Sequence, residues 1–351
     1  MDMCSSLPTG ALAGNSAGWP QRLPLTLISG YLGAGKTTLV NHLLRHAEGR
    51  RIAVLVNDFG DVNIDADLIT GQDGNVVRLA GGCVCCQFGN DLVSSLQRLS
   101  SLVAPERPDE LVLEASGIGL PSALVSAIAL LPELRLAAVL VLADAETVQA
   151  RAADRYVGDT VLQQLHSADL LILNKCDLLD ATQHRAVRTW LGQQGLPGKV
   201  VEAVRSAVPV ELLLGPFRPP SASGRPAPSD SSADILAGDA HLKLRPAMRP
   251  ATDQFEQTVL TLRDHIDTEL LVRTLADWPG LLRAKGFATD ASGRVTLVQV
   301  VGVRTELSPS ASPQVGSLLC IGVRGQLQPS ALAARLAAMS LLVSLLVRTG
   351  R

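Results

Sequence analysis

Aromatic residues make up only 3% of this 351-residue chain, so Ala, Leu and Val must do most of the packing. Neither sign of charge is in excess: 31 Lys and Arg face 33 Asp and Glu, a formal net charge of -2. The overall field therefore gives no support to non-specific adhesion to nucleic acid or to an anionic membrane. Six cysteines are too few for a disulfide scaffold. The N-terminus lacks the basic stretch and apolar core of a secretory signal. The most apolar late stretch, 331–347, is interrupted by Arg335 and falls short of a membrane span. A soluble, cytoplasmic protein is the expectation, with neither nucleic acid nor membrane as partner.

What is present is a 47% hydrophobic chain, enough for a sizeable core. At roughly 150 residues per domain, its length indicates two domains. Residues 1–21 are rich in Gly, Ser, Ala and Pro without periodicity and read as a disordered leader. From Pro24, apolar runs at 25–29, 51–57, 75–79, 110–114, 136–144 and 168–174 alternate with helix-length segments. Continuous apolar strands separated by helices predict an α/β fold, a mostly parallel doubly wound sheet covered on both faces. This unit is expected over 22–214. A Pro-, Ser- and Gly-rich linker follows over 215–251. Residues 252–351 read as a smaller α+β domain, with strands at 254–263, 294–304 and 317–324, a helix after Asp267 and a last helix from Pro329.

Gly30-Tyr31-Leu32-Gly33-Ala34-Gly35-Lys36-Thr37 fits the phosphate-loop pattern G-x-x-x-x-G-K-[ST], directly after an apolar run and before a helical one. Its glycines let backbone N–H groups turn inward around phosphates, and a helix N-terminus reinforces them. Lys36 is the candidate for the β- and γ-phosphates, and the Thr37 hydroxyl for Mg2+. Ala34 and Thr38 complete the loop's nucleotide-binding residues. Asn174-Lys175-Cys176-Asp177 follows a late strand, so a doubly wound sheet would put it on the same edge as the phosphate loop. N-K-x-D reads guanine: the Asp177 carboxylate can accept from guanine N1–H and N2–H, and adenine offers neither donor. GTP is expected over ATP. Cys176, in the wildcard position, reads as a small side chain packed under the loop.

Carboxylates cluster at three strand ends: Asp58 and Asp61, Glu114 within Glu114-Ala115-Ser116-Gly117, and Asp144. Phosphoryl transfer needs one to hold Mg2+ or its waters and a group to orient the attacking water. Glu114 is the preferred residue, with Lys36 as its catalytic partner; Asp58 is the second candidate for Mg2+. Cys83, Cys85 and Cys86 lie within four residues after paired glycines, a turn that converges three thiolates on one soft or borderline cation. Zn2+ is the commonest fit, and Co2+ or Cu(I) would satisfy the same sulfurs; a redox pair or inert packed thiols are the alternative readings of these cysteines. The site lacks a fourth ligand, so it stays open to exchange. Cys4, Cys176 and Cys320 are isolated, and His42, His46, His166, His184, His241 and His265 are scattered; none of them reads as a ligand.

Four segments together resemble the CobW-type metal-chaperone GTPases: 30–44 (GYLGAGKTTLVNHLL), 57–69 (NDFGDVNIDADLI), 81–86 (GGCVCC) and 174–177 (NKCD). Glu114–Gly117 also looks like that family's E-x-x-G variant of the D-x-x-G motif, and 282–286 (LRAKG) resembles a recurring segment of its C-terminal domain. The resemblance implies that GTP binding and slow hydrolysis gate delivery of Zn2+ or Co2+ to a client metalloprotein or a cofactor-biosynthesis complex; a GTP-binding metal sensor or buffer, or a client-assembly chaperone with a structural metal, is the alternative reading. It leaves a homodimer open. In this reading Cys83, Cys85 and Cys86 take the metal, Lys36 and Thr37 the phosphates and Mg2+, and Asn174, Lys175 and Asp177 the guanine. Two departures stand out. His241 is the only histidine near the linker, where many members are histidine-rich, and Asp58 and Asp61 stand where many carry Glu.

Overall fold

Strands that are apolar along their whole length cannot leave either face in water, and that constraint builds the first layer. The computed structural model describes residues 22–47, 49–57, 79–81, 91–102, 107–215, 254–262, 265–290, 292–310 and 316–349. Seven strands form one sheet: β1 (Leu23–Gly30), β2 (Ile52–Asn57), β3 (Leu79–Gly81), β4 (Glu110–Glu114), β5 (Leu134–Asp144), β6 (Leu170–Asn174) and β7 (Lys199–Glu202). Their spatial order is β3-β2-β4-β1-β5-β6-β7, and every pairing is parallel. The α/β expectation holds.

Alternation along each strand divides the core in two. Leu25, Leu27, Leu113, Val139, Val141 and Leu171 point to one face. There they meet α2 (Asp91–Ser100), α3 (Pro121–Ala129), α4 (Val148–Ala152), α5 (Gly158–His166) and α6 (Ala181–Gln193). Ile28, Val112, Leu140 and Ile172 point to the other face, against α1 (Lys36–Arg45) and α7 (Val210–Leu214). Helix starts follow local chemistry. Pro121 opens α3, and Asp180 caps α6 by accepting from the Thr182 and Gln183 amides while Gln183 bonds back to the Asp180 amide.

A second, antiparallel sheet has the order β11-β10-β9-β12-β8. It comprises β8 (Phe255–Thr261), β9 (Leu281–Thr289), β10 (Val295–Val301), β11 (Arg304–Pro309) and β12 (Ser317–Val323). It packs with α8 (Thr268–Ala276) and α9 (Pro329–Thr349) around Leu271, Leu275, Val298 and Leu318. Four strands differ from the sequence expectation. β3 covers Leu79–Gly81, whereas the run expected at 75–79 lies outside the described residues except for Leu79. β9 was not anticipated, because Arg283 and Lys285 interrupt its apolar pattern. β7 is only four residues long, at the edge. The strand expected to run to Arg304 breaks at Gly302 (φ 57), where any Cβ would lie 1.7 Å from the Asp169 carbonyl oxygen, and the chain returns as β11.

The second sheet finishes covering the α1 face of the first: Phe255, Leu282, Val301 and Ile321 belong to the same buried cluster as Ile28 and Val112. Polar bonds fix this seam. From the second sheet, Arg283 Nη1 donates to the carbonyls of Leu212 (3.0 Å) and Leu213 (2.8 Å), and within the first unit Arg50 Nη2 holds the Gly215 carbonyl just after them (2.6 Å). Asp169 accepts from Arg304 Nε (2.5 Å) and from the Val139 amide (2.7 Å), and Arg135 pairs with Glu306 at 2.6 Å. Among the described residues, no helix is long and apolar enough to cross a membrane.

Glu110 lies buried in this seam. Desolvation pushes its carboxyl up to about 7, against the pull of Lys285, Arg283, Arg135 and Arg50. The folded state therefore holds this proton to higher pH than the unfolded chain does. Stability from this group is present below the ordinary value of 4.5 and is lost as pH rises towards 7. Glu110→Gln cannot ionise, so the stability difference should tilt towards the variant between pH 5 and 7, by as much as roughly 3 kcal/mol. Denaturant unfolding of both proteins at several pH values checks this; a difference independent of pH would refute it.

Candidate nucleotide and metal site

The carboxyl ends of β1, β4, β5 and β6 converge on one edge, and the phosphate loop leaves from its centre. β1 ends at Gly30 (φ 136), where a Cβ would lie 2.2 Å from the Leu142 carbonyl oxygen, so only glycine can start the loop there. The loop passes Gly33 and closes at Gly35 (φ 104), the N-cap of α1. No side chain caps α1 and no acidic residue lies in its first turn, so its first amides remain directed at the loop, an anion-binding arrangement. Lys36 is buried and its Nζ donates to the Gly30 carbonyl at 3.0 Å, which folds the side chain back along the loop. Thr38 is exposed in the first turn of α1. Thr37 Oγ1 donates to Glu114 Oε1 at 3.0 Å, which joins the loop to the end of β4.

Glu114 is 1% exposed. The turn after it is held at two points: Gln164 Nε2 donates to the carbonyls of Gly117 (3.1 Å) and Gly119 (2.9 Å). A Cβ on Gly117 would lie 2.4 Å from Leu32 Cδ2, so the E-x-x-G turn and the phosphate loop are in direct contact.

Asn174 reaches across to the same loop. Its Nδ2 donates to the Ala34 carbonyl and to Ser206 Oγ, both at 2.9 Å, and its Oδ1 accepts from the Ser206 amide at 2.7 Å. Ser206 Oγ in turn donates to the Gly35 carbonyl at 3.1 Å. Asn174 is therefore an internal brace between the base-reading segment and the phosphate loop. Ser206 was not anticipated. It sits beyond β7 with a positive φ of 56, fully buried, and no motif marks it beyond a small polar residue at a strand end. Lys175, in the left-handed region (φ 64), pairs with Asp144 at 2.8 Å. Asp144, one of the strand-end carboxylates, thus holds the N-K-x-D lysine. Asp177 is exposed at the edge.

Asp58, Asp61, Cys83, Cys85 and Cys86 lie outside the described residues. The strands that lead to them end side by side: Asn57 of β2 is in register with Gly81 of β3 at the carboxyl edge. His42 packs against His46 and its Nε2 lies 2.8 Å from the Val208 carbonyl oxygen; burial lowers its pKa, in keeping with a structural role. His184, expected to stand alone, lies 3.0 Å from Glu202.

A parallel sheet, an uncapped helix behind a glycine loop and an N-K-x-D segment braced against that loop define a P-loop nucleotide-binding protein. The chain belongs to the CobW/HypB/UreG nucleotide-binding domain family, which matches residues 24–199, and residues 255–340 match the cobalamin synthesis protein cobW C-terminal domain. It is 30% identical over 319 residues to the zinc chaperone CobW of a Sinorhizobium species, covering 81% of this chain and 87% of the relative. It is 37% identical over 227 residues to the zinc chaperone CobW of Pseudomonas aeruginosa, covering 55% of this chain and 60% of that one. With the zinc-regulated GTPase metalloprotein activator 1 of Dictyostelium discoideum it shares 27% identity over 319 residues, covering 78% and 64% respectively.

The brace predicts unequal effects within one motif. Asn174→Ala strands buried partners on two loops and should lower stability by about 2–3 kcal/mol in the absence of nucleotide. Asp177→Ala, at an exposed position, should stay within about 0.5 kcal/mol of the parent. Chemical denaturation of the two variants tests this, and equal losses would show that Asn174 is no brace.

Proposed function

We propose that the chain is a GTP-hydrolysing metallochaperone that carries Zn2+, or Co2+ as the alternative cargo, to a client metalloprotein or cofactor-biosynthesis complex. The observation that carries this reading is the bond from Asn174 to the Ala34 carbonyl. It joins a guanine-type motif to a phosphate loop in a chain of the CobW family that also bears C-x-C-C. Residues 22–214 would do the nucleotide and metal work, and 252–351 would meet the client.

Each residue has a role that its placement supports. The amides of 33–38 and the Lys36 ammonium cradle the phosphates and offset charge that builds on them during transfer. Asp177 selects guanine, with Lys175 held beside it by Asp144. Thr37 Oγ1 and Glu114 Oε1 are hard oxygen donors 3.0 Å apart, a pair that suits Mg2+ or its water shell, with Asp58 as a further donor. Bound there, Mg2+ would neutralise charge on the β- and γ-phosphates.

Cys83, Cys85 and Cys86 would hold the cargo as thiolates with a fourth position open for exchange. Their segment and the Asp58–Asp61 segment leave the sheet from the paired positions Gly81 and Asn57. A γ-phosphate contact made by one segment is thereby offered to the other, and hydrolysis would release both. The coupling is reciprocal: if GTP tightens metal binding, metal tightens GTP binding by the same factor.

The test is anaerobic competition titration of Zn2+ and Co2+ with GDP or a non-hydrolysable GTP analogue, in the parent and in a variant with Cys83, Cys85 and Cys86 changed to Ser. Tighter metal binding with the GTP analogue, absent from the variant, is the expected result; affinity independent of the nucleotide would overturn the gating. In parallel, Lys36→Ala and Glu114→Gln should each lower the GTP turnover rate by at least about a hundredfold. Parent-like turnover in either would remove that residue from the mechanism.

A further inference from the structure

One cluster of metal-type donors lies among the described residues, and neither the phosphate site nor the C-x-C-C segment uses it. The ligand atoms of Cys176, His184 and Glu202 all lie within 4.8 Å of one another. They come from three separate elements. Cys176 opens the 3-10 turn Cys176–Leu178 after β6, His184 stands near the start of α6, and Glu202 ends β7. Backbone bonds hold all three: the Cys176 amide donates to the Ala203 carbonyl (3.2 Å), the Ala203 amide to that of Leu173 (2.8 Å), and the His184 amide to that of Asp180 (2.9 Å). The last bond lies in the capped first turn of α6.

We propose that Cys176, His184 and Glu202 form a second site for a borderline divalent cation such as Zn2+, separate from Cys83, Cys85 and Cys86. Thiolate, imidazole and carboxylate are the three donor types that Zn2+ accepts. Metal–ligand distances of about 2.0–2.3 Å in a tetrahedron put donors roughly 3.3–3.6 Å apart. His184 Nε2 and Glu202 Oε2 are 3.0 Å apart, and the sulfur lies within the 4.8 Å envelope, so small side-chain movements suffice. Arg188 Nε meets the other carboxylate oxygen, Oε1, at 3.4 Å and leaves Oε2 turned towards the imidazole. Cys176 is 2% exposed at the floor, while the His184 and Glu202 side chains are 32% and 27% exposed at the mouth. On binding, the Cys176 S–H bond to the Leu173 carbonyl (3.1 Å) is exchanged for a sulfur–metal bond and the proton passes to solvent. A fourth position stays open to water.

The site does not depend on the C-x-C-C reading. Its consequence for nucleotide does rest on the guanine reading: a cation on Cys176 fixes the residue between Lys175 and Asp177.

The decisive experiment uses the full chain with Cys83, Cys85 and Cys86 all changed to Ser, so that failure of the thiolate-loop reading leaves it unaffected. Anaerobic Co2+ titration should still give a thiolate-to-cobalt charge-transfer band at one equivalent, displaced by Zn2+. Adding Cys176→Ser should abolish the band. His184→Gln, at a part-exposed helix position that the fold tolerates, should weaken Zn2+ binding by at least about tenfold. Absence of the band in the triple variant, its persistence after Cys176→Ser, or unchanged affinity in His184→Gln would each overturn the proposal.

Discussion

The nucleotide edge depends on the hydrogen bonds of one buried amide. Asn174 donates to the phosphate loop and accepts from the turn after β7, so three segments far apart in sequence share one side chain. Gly35 has no Cβ for the same reason: one would lie 2.4 Å from Asn174 Nδ2. The glycine and the asparagine are thus two halves of a single contact. Glycine admits the positive φ values at 30, 33 and 35 without strain but leaves the loop free to move, and the Asn174–Ser206 pair fastens it at the Ala34 and Gly35 carbonyls. The rigidity of the phosphate site is borrowed from the base-reading segment.

A second dependence runs through the seam between the sheets. α1 and α7 cover only part of one face of the parallel sheet, and Leu282, Val301 and Ile321 cover more of it. Apolar contact alone would let two faces slide. Arg50 and Arg283, both nearly fully buried, instead reach specific carbonyls at the end of α7, and Asp169 meets Arg304. Burying such groups adds little net stability; what it fixes here is register, because a displaced seam would leave several buried charges without partners. Arg283 of β9 reaches 212–213 while Arg50 holds 215 from within the first unit, so the second sheet is docked through a last turn that the first unit itself fastens.

What the sequence made legible follows from the same physics. The parallel strands could be read because burial on both faces leaves continuous apolar runs, and the loop at 30–37 because its glycines and lysine stand between such a run and a helix. β9 was hidden by Arg283 and Lys285, whose charges look like solvent-facing positions until the seam supplies carbonyls and Glu110. Ser206 was hidden because a buried residue with positive φ leaves no mark in composition or periodicity. The nearness of His184, Glu202 and Cys176 was hidden for a topological reason: a strand pairing and a helix return bring them together, and no local spacing encodes either.

The two candidate metal positions sit differently with respect to the nucleotide, and that difference bears on what each can do. The C-x-C-C segment follows β3 beside the end of β2, on the side of the sheet where Glu114 and Thr37 meet. In the proposed function, a cation held by that segment would respond to the γ-phosphate, the part of the ligand that hydrolysis removes. Cys176 lies at the other side, within the N-K-x-D segment proposed to read the base, which GTP and GDP present alike. A cation on Cys176, His184 and Glu202 would therefore bias nucleotide occupancy without distinguishing the two nucleotides. The separation follows from the strand order: β1 stands between β4 and β5, which puts the ends of β2 and β3 on one side of the phosphate loop and the N-K-x-D segment after β6 on the other. Under the proposed function, the cargo metal would exchange in step with turnover, while the second metal proposed here would set how firmly the nucleotide is held.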